Sequence, residues 1–212
     1  MSVTDWVAEK LEQSEGLEIV ERTAEEFLIV RAADDYTFPV AVIGVKSMIQ
    51  LSDVAPIFAG PTQPEFVVNV PSKTVWSGGA IDHVHAASAA FGTLRDVSRA
   101  ASTGDAGSYR DKNMGFFIKA MRQHTNVSGV SYVYDRVFKA NRKRGASLTV
   151  AVIDAYNMSA EDVRNARDQF GHFDVVVKSS SHGSITHQAN AAANSMNAEA
   201  LTFGELMQRL AR

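Results

Sequence analysis

The stretch Lys178-Ser179-Ser180-Ser181-His182-Gly183-Ser184-Ile185-Thr186 gathers an ammonium, an imidazole, several hydroxyls and a glycine. An apolar, β-branched run, Phe173 to Val177, precedes it, and a helical pattern follows. The loop is therefore expected at the carboxyl end of a parallel strand, running into a helix N-terminus. Open α/β sheets favour ligands at that place. Backbone N–H groups, the helix dipole and a glycine permitting close approach make such a loop a phosphate or carboxylate site. In this reading Lys178 and the loop amides hold the anion, and Ser181 and Thr186 donate hydroxyl hydrogen bonds. Ser179, Ser180 and Gly183 complete the ligand-binding set, and His182 transfers a proton if there is catalysis. The stretch matches neither a P-loop nor a G-x-G-x-x-G pattern. The competing reading is structural: Ser184 caps the helix and the other serines fill a tight turn.

Asp154 and Tyr156 end the preceding apolar run, Leu148 to Ile153, and are expected on the same sheet edge. The carboxylate could hold a metal or a ribose hydroxyl and the ring could stack on a base. Asp154 could equally form an Asx turn that Asn157 closes. Lys139, Arg142, Lys143 and Arg144 are the strongest cluster of like charge, with Tyr132, Tyr134 and Phe138 just before them. Such interleaving can track a nucleic-acid backbone, although a solvated hairpin turn at Gly145 explains the charges without a partner. His83 and His85 lie two apart in a helical pattern, so they cannot share one metal from that helix. The motifs H-E-x-x-H, G-x-S-x-G and the EF-hand are absent, so no dedicated metal site is expected and the cofactor is left unidentified.

These residues need a scaffold of strands and helices. Ser159, with Asp162 three residues on, reads as a capping box opening a helix with Val163, Ala166 and Phe170 on one face and Gly171 at its end. Strand, helix, strand predicts a parallel pair with a right-handed crossover. Nearer the N-terminus, Val3, Val7 and Leu11 share a helical face. Leu17 to Arg22, Phe27 to Arg31 and Phe38 to Val45 then read as an antiparallel meander, followed by a brief helix through Phe58 and a strand from Phe66 to Val70. From Ser77 a single alanine-rich helix is expected to carry Ile81, Val84, Phe91, Leu94 and Val97, and Ala101 to Ser108 is the most loop-like segment. Met114, Phe117, Ile118 and Met121 form a further helical stripe, and Val127 to Phe138 reads as one strand hairpinned through the basic turn onto Leu148 to Ile153. A strand at Ala200-Leu201 and a helix capped by Thr202 and Glu205 close the chain. No internal repeat is read.

The expected class is thus α/β (mixed α+β): a mixed sheet, antiparallel in the N-terminal third and parallel in the C-terminal third, with helices on its faces. Residues 1–212 are expected to form a single domain, or two lobes over 1–103 and 109–212. Over residues 4–70 the order helix, three-strand meander, helix, strand resembles the αβββαβ core of the PD-(D/E)XK restriction-endonuclease-like superfamily. The resemblance implies a metal-dependent nuclease site in which Asp34 or Asp35 supplies one acid and Lys46 the lysine. Gly44 stands where the second carboxylate belongs, so the implied site is inactive or displaced.

Composition bounds the function. With 212 residues and 45% hydrophobic content the chain can bury a sizeable core, and a net charge of -3 with pI ≈ 6.1 excludes a globally basic nucleic-acid binder. There is no cysteine, hence no disulfide and no thiolate chemistry. No apolar leader or long apolar segment is read, so a cytoplasmic protein without a membrane partner is expected. The leading expectation is binding of a phosphate-bearing ligand, nucleotide or nucleic acid, at the Lys178 to Thr186 loop. The alternative is a non-catalytic interaction or structural subunit, such as a degenerate nuclease-like module, with the helix from Gly79 to Ser98 as its homo-oligomer interface. Whether the protein is an enzyme is left open.

Overall fold

The computed structural model describes residues 2–212, which divide between Asp111 and Lys112 into two compact units, unit 1 and unit 2. Unit 1 opens with α1 (Val3–Glu12), whose Ser2 and Asp5 form a capping box and whose Val7 and Leu11 are buried. Strands β1 (Leu17–Arg22), β2 (Leu28–Ala32) and β3 (Thr37–Ile43) pair as an antiparallel meander. Helix α2 (Leu51–Val54) and a 3-10 turn, Ala55–Phe58, lead to β4 (Phe66–Asn69), parallel to β3. Helix α3 (Gly78–Ala86) leads to β5 (Ala90–Gly92), parallel to β4, and α4 (Leu94–Ala101) follows. The sheet order is β1-β2-β3-β4-β5.

Unit 2 repeats this plan. Helix α5 (Lys112–Gln123) precedes the meander β6 (Val127–Tyr134), β7 (Val137–Arg142) and β8 (Leu148–Ile153). Then come α6 (Ala160–Phe170), β9 (Val175–Lys178), α7 (His187–Ser195), β10 (Glu199–Thr202) and α8 (Phe203–Ala211). Strands β8, β9 and β10 are parallel, and the sheet order β10-β9-β8-β7-β6 is that of unit 1. Both units therefore have mixed sheets, and the expected α/β class holds for each.

The two units are copies of one fold, a repeat not read in the sequence. Val40 pairs with Phe66 in one sheet and Val150 with Val175 in the other, shifts of 110 and 109 residues. With the first shift, Val40-Ala41-Val42-Ile43 falls on Val150-Ala151-Val152-Ile153 without a difference, and the buried Val7 and Leu11 fall on Phe117 and Met121. With the second, the isolated bridge Ile49↔Trp76 falls on Met158↔Ile185, and Asp53-Val54 on Asp162-Val163. The single-residue change falls in the loop after the third strand. At most other positions the residues differ, which conceals the period.

Each unit has its own core. In unit 1, Val7, Leu11, Leu28, Val30, Phe38, Val40, Phe66, Val68 and Val97 join α1, the sheet and α4. Their counterparts Phe117, Met121, Phe138, Ala140, Leu148, Val150, Val175, Val177 and Leu206 join α5, the sheet and α8. Strands β4 and β9 are buried at every position, so their second faces are covered as well, as expected of strands with crossover helices.

Three expectations are corrected. The single helix from Ser77 to Val97 is α3, β5 and α4: Ser88 turns the chain at φ 57, and Thr93 with Asp96 forms a capping box that starts α4. The proposed oligomer helix Gly79 to Ser98 is thereby interrupted. Val127 to Phe138 is two strands, because Asp135 and Arg136 form a turn and Val137 begins β7. The loop-like segment after Ala101 is packed down: Ala106 and Gly107 are buried, and the Ala106 N–H donates to Tyr36 Oη (2.8 Å).

Candidate functional site

The C-terminal ends of β8, β9 and β10 lie along one edge of the unit 2 sheet, because these strands are parallel and adjacent. Asp154 follows β8, and Ser179 follows β9; the Ser179 hydroxyl donates to Asp154 Oδ1 (3.2 Å). Asn157 Oδ1 accepts from the N–H (2.9 Å) and the hydroxyl (3.2 Å) of Ser184, tying the two loops together. Met158 and Ile185 bridge in parallel beneath them. Gly183 has φ 74, and a Cβ there would stand 2.0 Å from the Tyr156 carbonyl oxygen, so only glycine fits. The cap of α7 is Thr186, whose hydroxyl accepts from the Ala189 N–H (3.1 Å), rather than Ser184.

Lys178 is the side chain around which the loop is wound. It is 2% exposed, and its ammonium donates to the carbonyls of Ser180 (2.5 Å) and His182. No ion pair among the described residues includes it. Ser180 Oγ bridges to the His182 carbonyl (3.1 Å) and accepts the His182 N–H (3.1 Å). The side chains of Ser181 and His182 remain exposed, and so does Tyr156 at 69%.

In unit 1 the position equivalent to Lys178 is Asn69, also 2% exposed. Its amide donates to the carbonyls of Val45 and Pro71 (both 3.1 Å) and accepts from the Val45 N–H (2.9 Å). A neutral side chain thus ties the loop after β4 to the loop after β3, where Lys178 holds only the loop after β9. The fold does not require a positive charge there.

A shallow hollow opens beside Ser179. Asn113, Phe116 and Phe117 of α5, Val152, Val177 and Phe203 complete its lining. Phe116 is 58% exposed and its ring lies 4.9 Å from that of Phe203. Of these residues, Asn113 and Phe116 belong to no candidate group or apolar stripe legible in the sequence. Their signal was Phe116, a large aromatic outside the apolar stripe of its own helix.

The basic cluster lies elsewhere. Strand β7 runs antiparallel to β8, so Arg142, Lys143 and Arg144 occupy the turn at the amino end of β8, whereas Asp154 lies past its carboxyl end. Six residues of strand, roughly 20 Å, separate the two edges. The turn is held by Asn126, whose amide exchanges hydrogen bonds with the Arg144 backbone (both 3.1 Å), while Arg142 Nε donates to Ala146 O (2.6 Å). Lys139 is exposed, but Phe138 is fully buried and Tyr132 packs against it (4.8 Å), so these rings are core rather than base-stacking groups. The acids expected from the nuclease resemblance are likewise apart: Asp34 and Asp35 precede β3 and Lys46 follows it, across a seven-residue strand. Among the described residues no cluster of three or more acidic or histidine side chains is placed to hold a metal ion, and no helix is long and apolar enough to cross a membrane.

Comparison with protein families, with curated proteins and with solved structures finds no match to this chain.

Proposed function

We propose that unit 2 binds a phosphate-bearing ligand, a nucleotide or a nucleic-acid strand, over the Lys178 to Thr186 loop at the C-terminal edge of its sheet. One observation carries the reading: Lys178 is a buried lysine with no acidic partner among the described residues, at a position where the sister unit buries a neutral side chain, Asn69. Burying an ammonium costs several kcal/mol unless it is compensated, and two carbonyls offset only part of that. An anion above the loop would supply the missing charge. Exposed Ser181 and His182 can donate to its oxygens from the loop's outer side, and the α7 N-terminus adds a favourable dipole.

The test keeps a hydrogen-bonding side chain while removing the charge. Nucleoside monophosphates at about 100 times their dissociation constant should stabilise the native protein by about 2.7 kcal/mol, seen as a raised midpoint of thermal unfolding. Lys178→Gln retains an amide that can reach the loop carbonyls, as Asn69 does, and should abolish that shift. Equal protection of Lys178→Gln and the native protein would remove the proposal.

A further inference from the structure

We infer that the hollow beside Ser179 seats a nucleobase, stacked against Phe116 with its polar edge toward Asn113 and Ser179, whose hydroxyl Asp154 orients. The inference rests on the phosphate site proposed above for the rest of the same ligand. It starts from the two copies of the fold. The residues equivalent to Asn113, Ser179 and Asp154 are Val3, Val70 and Gly44 in unit 1. There a Cβ on Gly44 would stand 3.5 Å from the side chain of Val3, itself 47% exposed, so this corner is apolar rather than polar. Val70 and Trp6, the equivalent of Phe116, pack against the unit 1 core. The fold is complete without polar groups at these positions. In unit 2 an amide, a hydroxyl and a carboxylate replace them, and the aromatic residue is left exposed.

The chemistry of the occupant follows from that set. An amide both donates and accepts, and the Ser179 hydroxyl, whose proton goes to Asp154, accepts. Together they suit a heterocycle with ring nitrogens and an exocyclic amino group. The hollow is shallow and walled by the rings of Phe116 and Phe203, which favours a flat ligand lying on an aromatic platform over a bulky one enclosed in a cavity. Ser179 lies next to Lys178 in the chain, so a base seated here and a phosphate over the loop can belong to one nucleotide.

Thermal unfolding with adenosine, ribose 5-phosphate, adenosine 5′-monophosphate and a short single-stranded oligoadenylate tests this. Adenosine alone should raise the midpoint of the native protein. Phe116→Ala, at an exposed site, should weaken adenosine about tenfold or more and leave ribose 5-phosphate unchanged. Asn113→Val, which installs the residue of unit 1, should act in the same direction. Stronger protection by the oligoadenylate than by the mononucleotide assigns the base to a nucleic-acid strand, and equal protection to a free nucleotide; either supports the inference. Protection by ribose 5-phosphate but not by adenosine overturns it while leaving the phosphate site standing. Protection by adenosine alone keeps the base seat and removes the phosphate site. Adenosine binding that ignores Phe116→Ala overturns the base seat, and silence from every probe overturns both.

Discussion

His85 shows how a residue's role follows from its surroundings rather than its type. Burial, with the Arg110 guanidinium nearby, pulls its pKa down to about 4, so the imidazole is neutral at pH 7 and its ring lies 5.6 Å from that of Phe91. The unfolded chain, with an ordinary histidine value near 6.5, binds this proton more readily. The contribution of His85 is therefore complete above about pH 6.5 and lost as pH falls toward 4. Unfolding midpoints at pH 7 and pH 4.5 should show a smaller acid-induced drop for His85→Gln than for the native protein. Asp96 behaves differently although it too is largely enclosed. Burial opposes its ionisation, but the Thr93 N–H (2.9 Å), the Thr93 hydroxyl (2.7 Å) and the Tyr109 hydroxyl (2.8 Å) hold its carboxyl below the usual range. The same contact, after burial, pushes Tyr109 up to about 12.

At the scale of elements, caps and hydrophobic periods decide where helices start and stop. Ser159 and Asp162 form the expected capping box (Ser159 N–H to Asp162 Oδ2, 2.8 Å), and Gly171 ends α6 at φ 72. Thr202 and Glu205 do the same for α8 (2.8 Å). Thr202→Ala should cost about 0.5–2 kcal/mol, measured by urea unfolding, because it leaves the Glu205 N–H without its side-chain acceptor. These signals were legible because they are local. Thr93 and Asp96 carry the same signal and were masked by the alanine-rich pattern running through Ala86 and Ala90, whose helical propensity is high on both sides of the break. Only the pairing of β5 with β4, which requires tertiary context, turns that stretch into a strand.

For the whole molecule, the two copies supply an internal comparison. Leu11 and Met121 occupy equivalent core positions, 1% and 0% exposed. Leu11→Ala and Met121→Ala should each cost about 2–5 kcal/mol by denaturant unfolding, the range for a large aliphatic truncated in a core that cannot collapse. Negligible loss at either position would mean that the two cores are not equivalent. Where the copies agree, residues serve the fold. Where they differ at one edge, as at Lys178 against Asn69 and Asp154 against Gly44, the difference is available for function.

The sequence by itself determined the α/β class, the N-terminal meander, the βαβ stretch from Ser147 to Thr186 and its Ser159 cap, because hydrophobic period and capping chemistry act over a few residues. It also placed Asp154, Tyr156 and the Lys178 loop at one strand edge, since parallel neighbours bring their carboxyl ends together. Tertiary structure alone decided that Lys178 turns inward to its own loop, that Phe116 faces outward beside Ser179, that the basic turn lies at the opposite edge, and that the chain is one fold used twice. Those outcomes depend on contacts between residues far apart in sequence, and burial and strand pairing, which settle them, have no signature in any short window.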